Sequence, residues 1–201
     1  MDTVDMMISS SMSYYNNLKK DPNGRYRSWE HCYSNFYHAR EKDNADVDYL
    51  SLQLAFYLAS WGMYRGSSFL LQKDYRIHIP VIEELLDKKY DLLMGINCSE
   101  LKNEVNQKKL IELNAFVSEY YEVIRKNVKE KDLKNNLSYT LITKILMGTI
   151  GCVPAYDRYF IAGIKNQKVA TGSYNIKSIL QLADFYERNE SRLEPVRENM
   201  K

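Results

Sequence analysis

The sequence contains few of the residues that interrupt helices. Only 8 glycines and 4 prolines occur among its 201 residues, and no stretch of any length alternates apolar and polar residues as a half-buried strand does. Its three cysteines, Cys32, Cys98 and Cys152, lie far apart without a CxxC pair, so neither a disulfide framework nor a cysteine-rich zinc site is indicated. We therefore expect an all-α protein of the reducing cytoplasm.

The sequence also lacks long apolar runs and a large net charge. No stretch approaches the roughly 18 apolar residues of a membrane-spanning helix, and residues 1–15 lack the basic and apolar segments of a signal peptide. The net charge is +2, but residues 1–100 carry 11 Lys and Arg against 14 Asp and Glu, whereas residues 101–201 carry 17 against 12. The nine basic residues between positions 125 and 168 indicate either phosphate contacts or a solvated helix end and loop.

Apolar residues recur at helical spacing along most of the chain, which predicts about eight or nine helices in a single compact domain over residues 1–201. Such a domain has room for two lobes around a central cleft. The charged segment 190–201 is expected to be a frayed tail. The main predicted helices cover residues 4–18, 29–41, 46–65, 80–95, 99–130, 140–150 and 175–189.

The most informative stretch is residues 140–163. An apolar stripe at helical spacing is expected to end at Gly148, Gly151 and Pro154, and Asp157 then precedes a second apolar run. One interpretation is that Asp157 only caps the free amides at a helix start. The other is that its carboxylate faces a pocket, kept ionised by the helix dipole and by the adjacent Arg158.

A helix, a short break with a proline, then a hydrophobic residue and an Asp at the start of the next helix resembles the catalytic segment of the helix-hairpin-helix DNA glycosylases. The resemblance covers about 30 of the 201 residues. It implies that Asp157 is the essential aspartate and that residues 135–143 stand where the phosphate-binding hairpin lies. The Gly-x-Gly turn of that hairpin is replaced here by KNNLS at 134–138, where Asn can still adopt the left-handed conformation.

The resemblance also implies a reaction. The enzyme would flip a base out of duplex DNA and hydrolyse its glycosidic bond without a cofactor, in repair or in defence against foreign DNA. Asp157 would stabilise the positive sugar of the transition state and orient the attacking water. The lysine of lyase-competent members would fall near Ile142, with Lys144 two residues away, so a monofunctional enzyme that leaves an abasic site is expected.

A second stretch, SWGMYRGSS at 60–68, combines glycines, large aromatic residues and an arginine at the end of a buried helix. It is typical either of a pocket with a charged lip or of a tight helix junction in which Ser67 or Ser68 caps the next helix. In the first case, the expected base pocket is Trp61, Tyr64 and Tyr156. The expected phosphate contacts are Arg65, Arg158, Ser138 and Lys144.

Three alternatives to the glycosylase differ in how well the sequence supports them. A helical module that binds protein or nucleic acid without catalysis would explain the 17 tyrosines equally well. A metal site at His31 and His38 lacks the i, i+4 pair that such sites use, so no metal is expected. A nuclease built on Asp43, Asp46 and Asp48 is disfavoured, because acids at a helix start are stabilising in any case.

Overall fold

The computed structural model of the chain describes residues 2–42, 44–128 and 137–200. The protein is all-α, with 73% of its residues in helices and no strand in these ranges. The described residues form nine α-helices, which are α1 (Thr3–Lys20), α2 (Ser28–Arg40), α3 (Val47–Ser60), α4 (Ile79–Leu85), α5 (Glu104–Asn127), α6 (Tyr139–Thr149), α7 (Arg158–Asn166), α8 (Ile176–Arg188) and α9 (Glu190–Glu198). Short 3-10 helices cover Arg25–Arg27, Phe69–Gln72, Tyr75–His78, Lys88–Leu93 and Glu100–Lys102. The predicted fold class is confirmed.

Several helices begin at the capping side chains that the sequence indicates. Asp46 accepts a hydrogen bond from the Tyr49 amide at the start of α3, and Asp157 does the same for two amides of α7. Ser68 caps the 3-10 helix Phe69–Gln72. Each cap satisfies amides that have no partner within the helix, so the helix starts are determined locally.

The predicted helix over residues 80–95 is divided in two. The α-helix α4 ends at Leu85, and Asp87 then accepts a hydrogen bond from the Lys89 amide and starts a separate 3-10 helix. The long helix predicted from residue 99 also starts later. Its first α-helical turn is capped by Asn103, whose side chain accepts from the Val105 amide. In both places an Asp or Asn offers the backbone a new start that competes with helix continuation.

The segment expected to be a frayed tail is helical instead. Helix α9 packs against α1, where Arg192 lies 2.8 Å from a carboxylate oxygen of Asp2 and 2.6 Å from one of Asp5. Glu194 accepts a hydrogen bond from the Tyr186 hydroxyl of α8. The bonds of Arg192 join the two ends of the chain, which is why composition alone predicts fraying here.

The core is built around α6, which buries eight of its eleven residues. Helix α2 packs against both α3 and α6, and α3 also packs against α4 and α6. Gly148 of α6 lies so close to the Tyr57 ring of α3 that an added Cβ would overlap it. This close approach is the reason for a glycine inside the most buried helix.

A smaller apolar cluster of Tyr156, Ile164 and Ala170 lies beside the main core, with side chains of α7 and α8 packed on it. The two clusters meet where the chain leaves α6 and enters α7. Among the described residues, no helix is both long and apolar enough to cross a bilayer.

Candidate active site

A cavity of about 850 Å³ opens where the end of α3, the start of α6 and the start of α7 meet. This volume lies in the upper part of the range of roughly 300–1,000 Å³ that ligand sites occupy. Among the described residues, Asp157 is the one acidic residue in its wall, and the basic residues there are Arg25, Arg65, Arg125, Lys144 and Arg158. The cavity therefore has an excess of positive charge around a single carboxylate.

The backbone ahead of Asp157 is held by two hydroxyls of α6. The Tyr156 amide donates to Thr143 Oγ1 at 2.8 Å, and Thr140 Oγ1 donates to the Tyr156 carbonyl oxygen at 3.0 Å. Both partners of Tyr156 lie in the helix that forms the centre of the core. Asp157 is thereby presented from a rigid support at the edge of the cavity.

The two carboxylate oxygens of Asp157 have different surroundings. Oδ1 accepts hydrogen bonds from the amides of Tyr159 and Phe160, both at 3.0 Å. Oδ2 accepts none from any residue that the structure describes. The half-buried Asp157 therefore has one carboxylate oxygen held at the start of α7 and one available to a ligand.

Lys144 lies in the same wall and is almost fully buried, with 5% of its surface exposed. Its ammonium donates to the Trp61 carbonyl oxygen at 2.9 Å and lies 5.5 Å from the centre of the Trp61 ring. Burial lowers the pKa of Lys144, and Arg65 lowers it further, whereas Asp157 opposes the shift. Lys144 thus links α6 to the end of α3 while it adds charge beside Asp157.

Aromatic rings form another part of the wall. The Trp61 ring meets the Tyr26 ring edge to face, with 5.3 Å between centroids, and Tyr14 of α1 contacts Tyr26 at 6.2 Å. The indole Nε1 of Trp61 is buried without a hydrogen-bond partner among the described residues. A buried donor normally finds a partner, so this part of the wall presents aromatic surface with an unsatisfied nitrogen behind it.

The chain turns sharply after Trp61. Gly62 has φ +76°, and a Cβ built there would lie 3.0 Å from the Arg65 guanidinium. A side chain at position 62 would therefore be strained and would also crowd Arg65. This glycine lets Arg65 fold back beside Trp61 at the cavity.

The arginines of the cavity wall differ from the other arginines in how many of them are paired with a carboxylate. Of the chain's ten arginines, six lie outside the cavity, and five of these are bonded to a carboxylate: Arg27, Arg40, Arg76, Arg192 and Arg197. In the wall, Arg125 is paired with Glu122 at 2.5 Å. Arg25, Arg65 and Arg158 have no carboxylate partner among the described residues. The unbalanced guanidinium groups are concentrated at the cavity.

Most of the residues predicted from sequence meet at this cavity. Trp61, Arg65, Ser138, Lys144 and Arg158 line it together with Asp157. The Ser138 hydroxyl is already used, because it accepts from the Thr140 amide at 3.1 Å and caps α6.

Two predicted base-pocket residues do not reach the cavity. Tyr156 is 1% exposed and donates its hydroxyl to Ser178 at 3.0 Å inside the smaller cluster. The Tyr64 hydroxyl is bonded to His78 Nε2 at 2.8 Å, and Tyr64 is not among the described residues that line the cavity. Both tyrosines have structural partners that sequence spacing does not reveal.

The cavity also includes residues that the sequence does not single out. They are Tyr14, Arg25, Tyr26, Arg125 and Tyr159. Arg25 and Tyr26 have one usable signal, since the Arg-Tyr dipeptide recurs at 158–159 beside the predicted aspartate. Tyr14 has none, because it reaches the site only through the position of α1.

The remaining predictions concern metals and the hairpin. Among the described residues, no group of three or more His, Cys, Asp or Glu side chains is placed to hold a metal ion. Asp46 caps α3, and Asp48 accepts a hydrogen bond from Tyr75. Asp43 and residues 134–136 of the proposed hairpin lie outside the described residues.

Comparison of the chain with protein-family models, with curated protein sequences and with solved structures finds no match. The function has to be argued from the cavity itself.

Proposed function

We propose that the protein is a monofunctional DNA N-glycosylase of the cytoplasm that hydrolyses the bond between a base and its sugar, with Asp157 as the catalytic carboxylate. The observation that carries the proposal is the asymmetry of this carboxylate. Oδ1 is held by two amides of α7, while Oδ2 is left without a partner in a cavity rich in aromatic rings and unbalanced arginines.

The chemistry requires an anion beside the sugar, because breaking the C1′–N bond leaves positive charge on the sugar ring. The ionised Asp157 supplies that anion from a fixed position. Oδ2 can accept a hydrogen bond from a water molecule and direct its oxygen at C1′. The C1′–N electron pair leaves with the base, the water oxygen bonds to C1′, and an abasic site remains.

The surroundings of Lys144 support hydrolysis without a lysine nucleophile. Its ammonium is committed to the Trp61 carbonyl at 2.9 Å, and the charged form is the one that makes this bond best. Lys144 then acts as a buried positive charge near the site. This arrangement supports loss of the base to water, with no enzyme-bound intermediate.

DNA as the partner is supported by the charges. Arg25, Arg65 and Arg158 line the cavity without carboxylate partners, and phosphates are the ligands that such guanidinium groups bind best. Trp61 is the residue of the expected base pocket that lines the cavity, with Tyr26 packed at its edge. A base in this cavity would stack on these rings. The resemblance of residues 140–163 to the helix-hairpin-helix glycosylases points to the same reaction, in repair or in defence against foreign DNA.

The test is an abasic-site assay with duplex and single-stranded DNA rich in modified bases. Asp157→Asn keeps the cap on α7, since Asn caps about as well as Asp, but it removes the charge. We expect product formation to fall by about 10²- to 10⁴-fold with DNA affinity and the unfolding midpoint retained.

The matched control is Asp46→Asn, which changes the same residue type at the cap of α3, away from the cavity. It should leave product formation unchanged. Equal products from wild type and Asp157→Asn would remove Asp157 from the mechanism.

A helical module for protein binding is the second candidate, and one observation favours it. Tyr49, Leu52 and Phe56 are 46%, 50% and 62% exposed, and their spacing places them on one face of α3. A partner helix could cover this stripe. Phe56→Ser would abolish such an interaction and leave DNA chemistry intact, so the two candidates respond to different variants.

A further inference from the structure

Two pairs of the same dipeptide stand in the cavity wall. The Arg25 guanidinium carbon lies 4.6 Å from the centre of the Tyr26 ring, and that of Arg158 lies 4.5 Å from the centre of the Tyr159 ring. In each pair the arginine also donates Nη2 to the tyrosine hydroxyl, at 2.7 Å and 2.5 Å. One pair comes from the 3-10 helix Arg25–Arg27 and the other from the start of α7, so they are separate elements that converge on one site.

Each pair holds a positive charge against a flat ring without neutralising it. The attraction between a guanidinium and an aromatic face keeps both groups in place, and no carboxylate among the described residues is paired with either arginine to offset its charge. A nucleotide offers the complementary groups side by side, with a base that stacks and a phosphate that pairs. The two Arg–Tyr pairs are therefore suited to successive nucleotides of one strand.

The tyrosine of the second pair is open to a ligand. Tyr159 is 71% exposed, more than any other large apolar side chain among the described residues, and it nevertheless lines the cavity. Tyr26 is 40% exposed although it packs on Trp61 and Tyr14. Both rings thus offer apolar surface to a base that enters the cavity.

We propose that the site takes an unpaired DNA strand, which passes between the two Arg–Tyr pairs, and that the enzyme acts on bases that are already out of a duplex. The inference rests on the proposed function for the identity of the polymer. In a duplex the faces of the bases are covered by their neighbours, so rings such as Tyr26 and Tyr159 can stack only after unstacking them at a cost. An unpaired strand leaves these faces free.

The distribution of arginines supports the same choice. Outside the cavity, five of six arginines are bonded to carboxylates, so most of the guanidinium groups without a carboxylate partner among the described residues lie at the cavity. They border one opening, as in proteins that follow a single strand with alternating cations and rings.

The experiment measures binding by fluorescence anisotropy, with Asp157→Asn protein so that no substrate is consumed. The probes are one labelled DNA oligonucleotide of mixed sequence as a single strand, the same oligonucleotide in a duplex, and its RNA counterpart, all at one salt concentration. We expect the single strand to bind at least about tenfold more tightly than the duplex, a margin that stacking of one base would supply.

Variants test whether Tyr159 is responsible for the tighter binding of the single strand. In the same background, Tyr159→Ala should weaken binding of the single strand by about five- to 150-fold, which corresponds to the loss of one stacked base, and leave duplex binding unchanged. Tyr159→Phe keeps the ring and should keep most of the affinity. Tyr49→Ala is the control, because Tyr49 is also about half exposed, at 46%, but lies outside the cavity.

Duplex binding as tight as or tighter than that of the single strand would overturn the inference, and so would a Tyr159→Ala protein that behaves like Tyr49→Ala. Tighter binding of the RNA would overturn the choice of DNA. Abasic sites formed by wild type in duplex only would refute this inference and leave the proposed function standing. A strand preference without any abasic product would refute the proposed function and leave standing only the binding of an unpaired strand.

Discussion

Two polar clusters include residues that follow α3, Tyr64 in the first and Trp61 in the second, and they differ in whether their hydrogen bonds are complete. In the first, His78 is fully buried and bonds to the hydroxyls of Tyr64, at 2.8 Å, and Tyr121, at 2.5 Å. In the second, only Oδ1 of Asp157 accepts hydrogen bonds from the described residues, so Oδ2 has none, and the indole nitrogen of Trp61 is buried without a partner among them. The first is a closed network and the second an open one.

The comparison indicates what each cluster is for. Buried polar groups that are fully bonded hold a fold together. Polar groups left open next to a cavity keep their bonding capacity for a ligand, although this costs stability. A closed network should therefore dominate stability measurements, and the open one should dominate binding and chemistry.

The histidine at the centre of the closed network must be neutral. Burial lowers the pKa of His78 from 6.5 to about 4, and it raises the pKa of Tyr121 well above its usual value. A neutral ring donates from one nitrogen and accepts at the other, so two hydroxyl partners satisfy it completely. Because the closed network needs a neutral His78, substitution of this residue and a change of pH both test it.

The largest effect on stability is expected for His78→Leu. The substitution keeps an apolar side chain of similar size and leaves the buried hydroxyls of Tyr64 and Tyr121 without a partner. We expect the free energy of unfolding at pH 7 to fall by about 3 kcal/mol, measured by urea denaturation. Tyr64→Phe removes a single hydroxyl and should cost about a third of that.

The pH dependence provides the control. Because the unfolded histidine titrates near 6.5 and the folded one near 4, the unfolded state binds more protons in this window, and stability falls as pH falls through it. The wild type should lose about 3 kcal/mol between these values through His78, a loss absent from His78→Leu. The two unfolding free energies should converge near pH 4. A gap that stays constant with pH would show that His78 is not the titrating group.

An intermediate effect on stability is expected at Lys144, which shares a feature with each cluster. It is buried and bonded to the Trp61 carbonyl, yet it lines the cavity. Lys144→Met should lower the free energy of unfolding by about 1 kcal/mol, because the carbonyl loses a charged donor, and should weaken DNA binding as well. Thermal unfolding and anisotropy measure the two effects. Lys108→Met, at an exposed position of α5, should change neither.

The smallest effect on stability is expected at the open cluster. Arg65→Ala removes an exposed side chain without an ion-pair partner among the described residues, so the free energy of unfolding should change by no more than about 0.5 kcal/mol. DNA binding should weaken, and the slope of log affinity against log salt should decrease by about 1.

Arg188 is the matched control for Arg65. Its side chain donates to the Asp184 carbonyl of its own helix and lies outside the cavity, so Arg188→Ala should leave the salt slope unchanged. An unchanged slope in Arg65→Ala would exclude Arg65 from phosphate contact.

Parts of the site were predictable because they depend on near neighbours in the chain. Asp157 was expected to cap α7, and it does, through bonds to amides two and three residues away. The apolar stripe of α6 was likewise readable from its spacing. The break after Leu85 was missed, because Asp87 competes with the helix through one short-range bond whose strength composition does not reveal.

Other features depend on contacts between distant segments. Tyr156 belonged to the expected base pocket, but Thr140 and Thr143 hold its backbone and Ser178 takes its hydroxyl. Tyr14 lies at the cavity because α1 packs against Tyr26.

The sequence by itself determined the helical class of this protein, most of its helix starts and the aspartate at the head of α7, because these follow from hydrogen bonds and apolar spacing within a few residues. Only the tertiary structure decided which cations surround that aspartate, which tyrosines reach the cavity and which are used inside the core. The physical reason is that the cavity joins residues from Tyr14 to Tyr159, and their meeting depends on how the helices pack.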